Sequence, residues 1–169
     1  PVQISTATDW QSITAGEHHS LAIKSNGSLW AWGHNGDGQL GNSTKVGSAS
    51  PVQIGFSAGW QIIAAGGSHT LGIKSDGTLW SWGKGNYGQL GNGSTYDRTY
   101  PVQIDTSTVW QNIAAGTHYS LATKSDGSLW AWGANNSGQL GDSTNVNKNA
   151  PVQVGVSTRW DSISAGSSH

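Results

Sequence analysis

Cysteine and methionine are both missing from this 169-residue chain, and phenylalanine occurs once. Without cysteine there is no disulfide framework and no thiolate metal site. Charge is also scarce: eight Lys and Arg stand against nine Asp and Glu, a net charge of -1. The basic residues are scattered, so the clustered positive surface that nucleic acid requires is lacking. No apolar run approaches the roughly 20 residues of a membrane-spanning helix. Nor is there a Gly-x-Ser-x-Gly, a phosphate-binding Gly-x-x-x-x-Gly-Lys, a His-Glu-x-x-His or a calcium-loop spacing of Asp. The acids fall at non-equivalent positions, so no catalytic set forms, and nothing calls for a cofactor or a metal. The expected reading is a non-enzyme.

What the chain has is glycine, tryptophan and repetition. Pro-Val-Gln followed by Ile or Val recurs at positions 1, 51, 101 and 151, an interval of 50 residues without insertion. Repeats of about 20–50 residues indicate solenoids, propellers or arrays. Each period carries Leu-Trp-x-Trp-Gly, as Leu29 to Gly33, Leu79 to Gly83 and Leu129 to Gly133, and then Gly-Gln-Leu-Gly. Alternate residues of a strand share a face. Trp30 and Trp32 therefore point one way and Leu29 the other, so the strand is apolar on both sides and needs neighbours above and below. Trp80 with Trp82 and Trp130 with Trp132 repeat the pattern. They could be read as sugar-stacking platforms, but regular recurrence within a strand favours core.

Four strands are expected per period. An innermost strand, Trp10 to Gly16 in the first copy, ends in small residues that suit crowding near the axis of a ring. A second strand, Ser20 to Lys24, turns into the Trp strand through Asn26-Gly27, repeated as Asp76-Gly77 and Asp126-Gly127. These dipeptides tolerate positive φ at both central turn positions and signal a tight hairpin. The Pro-Val-Gln run is expected outermost, with proline at the start of an edge strand. No window shows helical periodicity.

The expected fold is therefore all-β: a β-propeller of four-stranded antiparallel blades. An open β-solenoid is the alternative, and the antiparallel hairpins favour the propeller. The blades are expected over 10–54, 60–104 and 110–154. Residues 1–4 would be the outer strand of a preceding blade, and 160–166 the first strand of a following one.

The recurring Ala-Gly-x-x-His-Ser-Leu-Ala, Asp/Asn-Gly-x-Leu-Trp-x-Trp-Gly, Gly-Gln-Leu-Gly and Pro-Val-Gln resemble the regulator of chromosome condensation repeat. The resemblance covers the whole chain. It implies a propeller that is usually seven-bladed, so about three blades and partial strands suit a fragment of a longer ring or several chains sharing one. Pro1 enters in mid-pattern with no initiator Met, as expected of an excised segment.

Two sets of side chains stand out as candidates. His19, His69 and His169 share one column, with Tyr119 in the third copy, and regular recurrence suggests a structural role: a ring nitrogen bonded to a neighbouring backbone carbonyl. The column before it varies, with His18 and His118 in two copies and Glu17 ahead of the first. In members of the resembled family that act as nucleotide-exchange factors, acidic and His residues of this face contact a small GTPase, and Glu17 is the only acid here. The loop after the Trp strand, expected on the opposite side, offers His34, Lys84 and Tyr87. Further along, Tyr96, Arg98 and Tyr100 are of residue types that recur at binding hot spots.

The function expected is a protein-interaction scaffold that presents variable loops to a protein partner. The alternatives are an exchange regulator of a small GTPase, or a secreted propeller that inhibits an enzyme or binds glycans. Uncharged Ser-, Thr-, Asn- and Gly-rich turns favour an exported or cell-surface bacterial protein.

Overall fold

The computed structural model describes residues 3–157 and 159–169. Within them the chain forms twelve strands and no helix. They make three four-stranded sheets in which sequence neighbours pair antiparallel. Blade 1 holds β1 (Trp10–Ala15), β2 (His19–Lys24), β3 (Leu29–Gly33) and β4 (Ser48–Gln53). Blade 2 holds β5 (Trp60–Ala65), β6 (His69–Lys74), β7 (Leu79–Gly83) and β8 (Arg98–Gln103). Blade 3 holds β9 (Trp110–Ala115), β10 (Tyr119–Lys124), β11 (Leu129–Gly133) and β12 (Lys148–Gln153). The structure is a run of β-propeller blades.

The hairpin turns differ from the sequence expectation. Only the glycine takes positive φ, 76° at Gly27 and 77° at both Gly77 and Gly127. Gly27 N–H donates to Lys24 O at 2.8 Å, and Lys24 N–H to Ser28 O at 3.0 Å. The loop is thus three residues long, with glycine in the left-handed position that closes it. The preceding Asn or Asp instead accepts the N–H two residues on, as Asp76 Oδ1 does from Thr78 at 3.0 Å. That side-chain bond belongs to αR-type turns and removes the need for a second positive φ.

The outer strand also differs. It begins three residues before Pro51, at Ser48. Pro51 lies where the ladder bulges, between the pairs Ala31–Val52 and Gly33–Ser48. A bulge on an edge strand is where a residue without an N–H costs no ladder bond.

Two terminal expectations change as well. Pro1 and Val2 lie outside the described residues, and Gln3 and Ile4 are not in a strand. Residues 160–166 are not in a strand either. A strand exists only by pairing, and the second strand of the blade, with which 160–166 would pair, is not part of the sequence given.

The core lies between blades. Leu21, Ile23, Leu29, Ala31 and Leu40 of blade 1 pack on Trp60 and Trp82 of blade 2. Leu71, Ile73 and Leu79 of blade 2 pack on Trp110 and Trp132 of blade 3. Trp82 and Trp132 are fully buried. Trp32 has no described blade in front of it and is half-buried.

The outer member of each Trp pair is not core. Trp30, Trp80 and Trp130 are half-buried. Each lies under the ammonium of Lys24, Lys74 or Lys124, at 4.9, 4.3 and 4.1 Å from the ring centroid. Their indole N–H groups donate to Ser28, Thr78 and Ser128 hydroxyls. Lys stems over indole faces shield these rings while keeping the charge in water.

The innermost strands converge at one end, where Gly16, Gly66, Gly116 and Gly166 line a shallow cavity of about 320 Å³. A Cβ on Gly16 would stand 2.2 Å from Gly66 O, and one on Gly66 2.6 Å from Gly116 O. Backbone meets backbone there, and only glycine permits it.

Candidate interaction face and the joints beneath it

The joints that set blade against blade also position the variable loops. Trp82 Nε1–H donates to Gln39 O of the preceding blade at 3.0 Å, and Thr70 Oγ1–H donates to the same oxygen at 2.9 Å. The next joint repeats this: Trp132 Nε1–H and Ser120 Oγ–H donate to Gln89 O, at 2.9 and 2.8 Å. The hydroxyl proton is thereby spent, so the hydroxyl oxygen must accept from the histidine. His19 Nε2 lies 3.1 Å from Thr70 Oγ1, and His69 Nε2 lies 3.0 Å from Ser120 Oγ. Both rings therefore carry their proton on Nε2. The expected bond from ring to carbonyl is replaced by a relay: histidine of one blade, hydroxyl of the next, carbonyl of the first.

Burial keeps these rings neutral. The His69 pKa falls to about 3, mainly by desolvation and then by the neighbouring His19 and His118. The His19 pKa falls to about 4, again mainly by desolvation, then by His34 and His18. Tyr119 takes the column in blade 3 with a longer reach: its hydroxyl donates to the backbone oxygen of His169, and burial raises its pKa.

The β1–β2 turn and the loop after β3 lie at the same end of the blade, not on opposite sides. Strand direction requires it, because β1 and β3 run in parallel on either side of β2 and both end there. His18 and His34 rings stand 6.4 Å apart, edge to face. Between blades the two loops meet directly: Tyr87 of blade 2 stacks on His118 of blade 3, centroids 4.9 Å apart and planes 31° from parallel.

A glutamine holds each loop, buried in blades 1 and 2 and half-buried in blade 3. Gln39 Nε2–H donates to His34 Nδ1 at 2.9 Å while its Oε1 accepts Asp37 N–H at 3.0 Å. Gln89 Oε1 accepts Tyr87 N–H, and Gln139 Oε1 accepts Ser137 N–H, each at 2.9 Å. Beside it, Asn35 and Asn135 pin the loop through their amides, to Thr44 O and Thr144 O. Blade 2 has Gly85 at this position, whose N–H goes to Asp97 Oδ1 at 3.1 Å. Its loop is built differently and presents Tyr87.

Of the residues singled out in the sequence, Glu17, His18 and His34 are exposed, and Lys84, Tyr87 and His118 half-buried. Tyr96 and Arg98 lie beside the blade 2 loop, Tyr96 against Gly85 and Arg98 paired with Gly83, whereas Tyr100 stands apart. Arg98 and Tyr100 belong to β8, Tyr96 precedes it, and Tyr100 lines a separate cavity on the rim between blades 1 and 2. Sequence reasoning missed Thr70, Ser120 and the two glutamines. Their signal was available: a hydroxyl always follows the His or Tyr column, and Gln never varies in Gly-Gln-Leu-Gly. Among the described residues no group of three or more His, Asp or Glu could hold a metal ion.

A family model described as the regulator of chromosome condensation (RCC1) repeat matches residues 76–123 and 126–169. A second model of the same description matches 10–39, 57–89 and 110–139. The chain belongs to the RCC1 repeat family.

The RCC1 repeats here are those three blades and the start of a fourth copy. Among solved structures, Prp20p from Saccharomyces cerevisiae is similar at 23% identity and a TM-score of 0.83, over 94% of this chain and 42% of that one. That structure is described together with its binding to Gsp1p and histones. Yeast RCC1 (Prp20) bound to Kap60 is similar at 24% identity and the same TM-score, over 97% of this chain and 42% of that one. Human WBSCR16 is similar at 18% identity and a TM-score of 0.63, over 98% of this chain and 58% of that one. The chain thus spans about two-fifths of the length of the yeast structures. At these identities the likeness shows the RCC1 fold. No curated protein matches the chain.

Proposed function

We propose that this array of RCC1 repeats is a non-enzymatic scaffold that binds a protein partner through the loop face carrying Glu17, His18, His34, Tyr87 and His118. The observation that carries the reading is the division of labour within each repeat. The joint groups recur from blade to blade, while the residues standing over them at one end vary between copies: Glu17, Gly67 and Thr117 in the turn, and His34, Lys84 and Ala134 in the loop. Variable side chains on a rigid frame are the arrangement by which repeat proteins present binding surfaces. The Tyr87–His118 stack spans two blades and gives the face a preformed aromatic element. Yeast relatives with the same fold are described with protein partners, which supports a protein ligand here.

The test is cross-linking capture from the source cell with the wild-type chain and with a Tyr87→Ser/His118→Ser variant, read by mass spectrometry. A partner retained by the first and lost by the second is expected. Equal retention would refute the face. A nucleotide-release assay on small GTPases separates the exchange reading: the scaffold reading expects no acceleration.

A further inference from the structure

The rim between blades 1 and 2 holds a cavity of about 570 Å³ that the loop face does not use; of the residues considered for that face it shares only Tyr100. We infer that this cavity binds a carboxylate carried on an apolar body.

The argument comes from comparing repeats within the chain. Two acidic side chains serve the rim elsewhere. Asp9 pairs with Lys24 at 3.1 Å. Asp105 accepts the indole N–H of Trp110 at 3.2 Å and the N–H of Ser107 at 2.9 Å. At the corresponding positions of the cavity both acids are glycine, Gly59 and Gly55. Their counterparts are left without a carboxylate. Trp60 is 5% exposed, yet its indole Nε1 has no hydrogen-bond partner among the described residues. Lys74 has no acid within ion-pair distance among the described residues; its nearest acidic neighbour in sequence, Asp76, is turned into the hairpin and bonded to Thr78. A buried N–H without an acceptor is costly, and rare enough to call for an explanation.

The space is open where the acids would be. A Cβ on Gly55 would meet nothing within 4 Å, and one on Gly59 only Ser75 Oγ at 3.5 Å. The remaining walls are mixed: Ile54, Phe56, Trp80, Tyr100 and Pro101 supply the apolar part, and Asn42, Ser43, Gln53 and Ser57 the polar part. Trp60 and Trp80 face the Lys74 ammonium, Phe56 at the lip is wholly exposed, and Tyr100 is 54% exposed. The volume is that of a small-ligand pocket. A carboxylate there takes the charge-assisted bonds that Asp9 and Asp105 make inside the chain, and its apolar body covers Phe56 and Tyr100. A free organic acid and the acidic side chain of a polypeptide share this chemistry.

Titrations followed by the 1H–15N indole signal of Trp60 test it with three probes: 3-phenylpropionate, a capped Asp-Phe dipeptide, and neutral 3-phenylpropanamide. At least one carboxylate should shift that signal saturably, and the amide should bind about tenfold more weakly or worse. A response to the dipeptide alone assigns a polypeptide ligand; a response to phenylpropionate alone assigns a free acid. Lys74→Met should cut carboxylate affinity about tenfold and leave the amide unchanged, and Phe56→Ser, at an exposed residue, should weaken both. No saturable shift at about 10 mM of either carboxylate, where a millimolar Kd would saturate, overturns the inference. So does an amide that binds as well as the acid. Loss of the loop-face partner by the Tyr87/His118 variant leaves these titrations unchanged, so the two readings fail separately.

Discussion

A single imidazole takes part in each joint between blades, and burial holds it neutral. His69 is neutral in the fold, with its pKa lowered from 6.5 to about 3, and His19 likewise to about 4. Unfolded, both would titrate near 6.5. Above that pH neither state takes a proton and the stability of the relay is fully present. As pH falls below 6.5 the unfolded chain binds protons that the native rings refuse, so stability is lost down to about pH 4 for His19 and about pH 3 for His69. The expected slope is about 1.4 kcal/mol per pH unit for each ring. Urea titrations at pH 7 and 5 check it, and His69→Ala should halve the histidine contribution to the difference. The hydroxyl partner is equally exposed to test. Thr70→Val keeps the shape but strands His19 Nε2–H and removes one donor from Gln39 O. A loss of about 1–3 kcal/mol is expected by chemical denaturation.

Strands and turns divide into those the sequence made legible and those it did not. The all-β blade and its strand order could be read because period-2 apolar alternation and Asp-Gly turns are local signals. The turn conformation could not, since the carboxylate of Asp76 bonds Thr78 and spares one of the two positive φ angles. The Trp strand was half legible: alternation gives a shared face for Trp80 and Trp82 but not how far a neighbour covers it. The loop face was misplaced as two opposite sides, although β1, β2 and β3 in antiparallel order fix it to one. Trp82→Ala should cost about 3–5 kcal/mol, because blade 1 encloses that ring. Trp32→Ala should cost clearly less, because no described blade stands in front of it and the ring is only half-buried. Gly77→Val should lower the melting temperature strongly: φ is 77°, and the added Cβ would stand 2.1 Å from Thr108 O.

Seen whole, the molecule is a line of three sheets, each sealed by the next. Blade 1 meets blade 2 through the Gln39 carbonyl, and blade 2 meets blade 3 through that of Gln89. Stability in such arrays is close to a sum of units and nearest-neighbour joints. Damage should therefore stay local: hydrogen exchange on Trp82→Ala should show faster opening in β2 and β3 than in β10 and β11. The glutamine joint has an evolutionary corollary. At both joints the acceptor lies at the trailing side of one sheet and the indole and hydroxyl donors at the leading side of the next, so the trailing side of blade 1 offers the leading side of blade 3 the carbonyl it already uses. A crossover that deletes or duplicates one 50-residue period would bring together a matched pair that the parent never had in contact. A chain shortened by one such period is expected to keep the indole and hydroxyl bonds at the joint it forms.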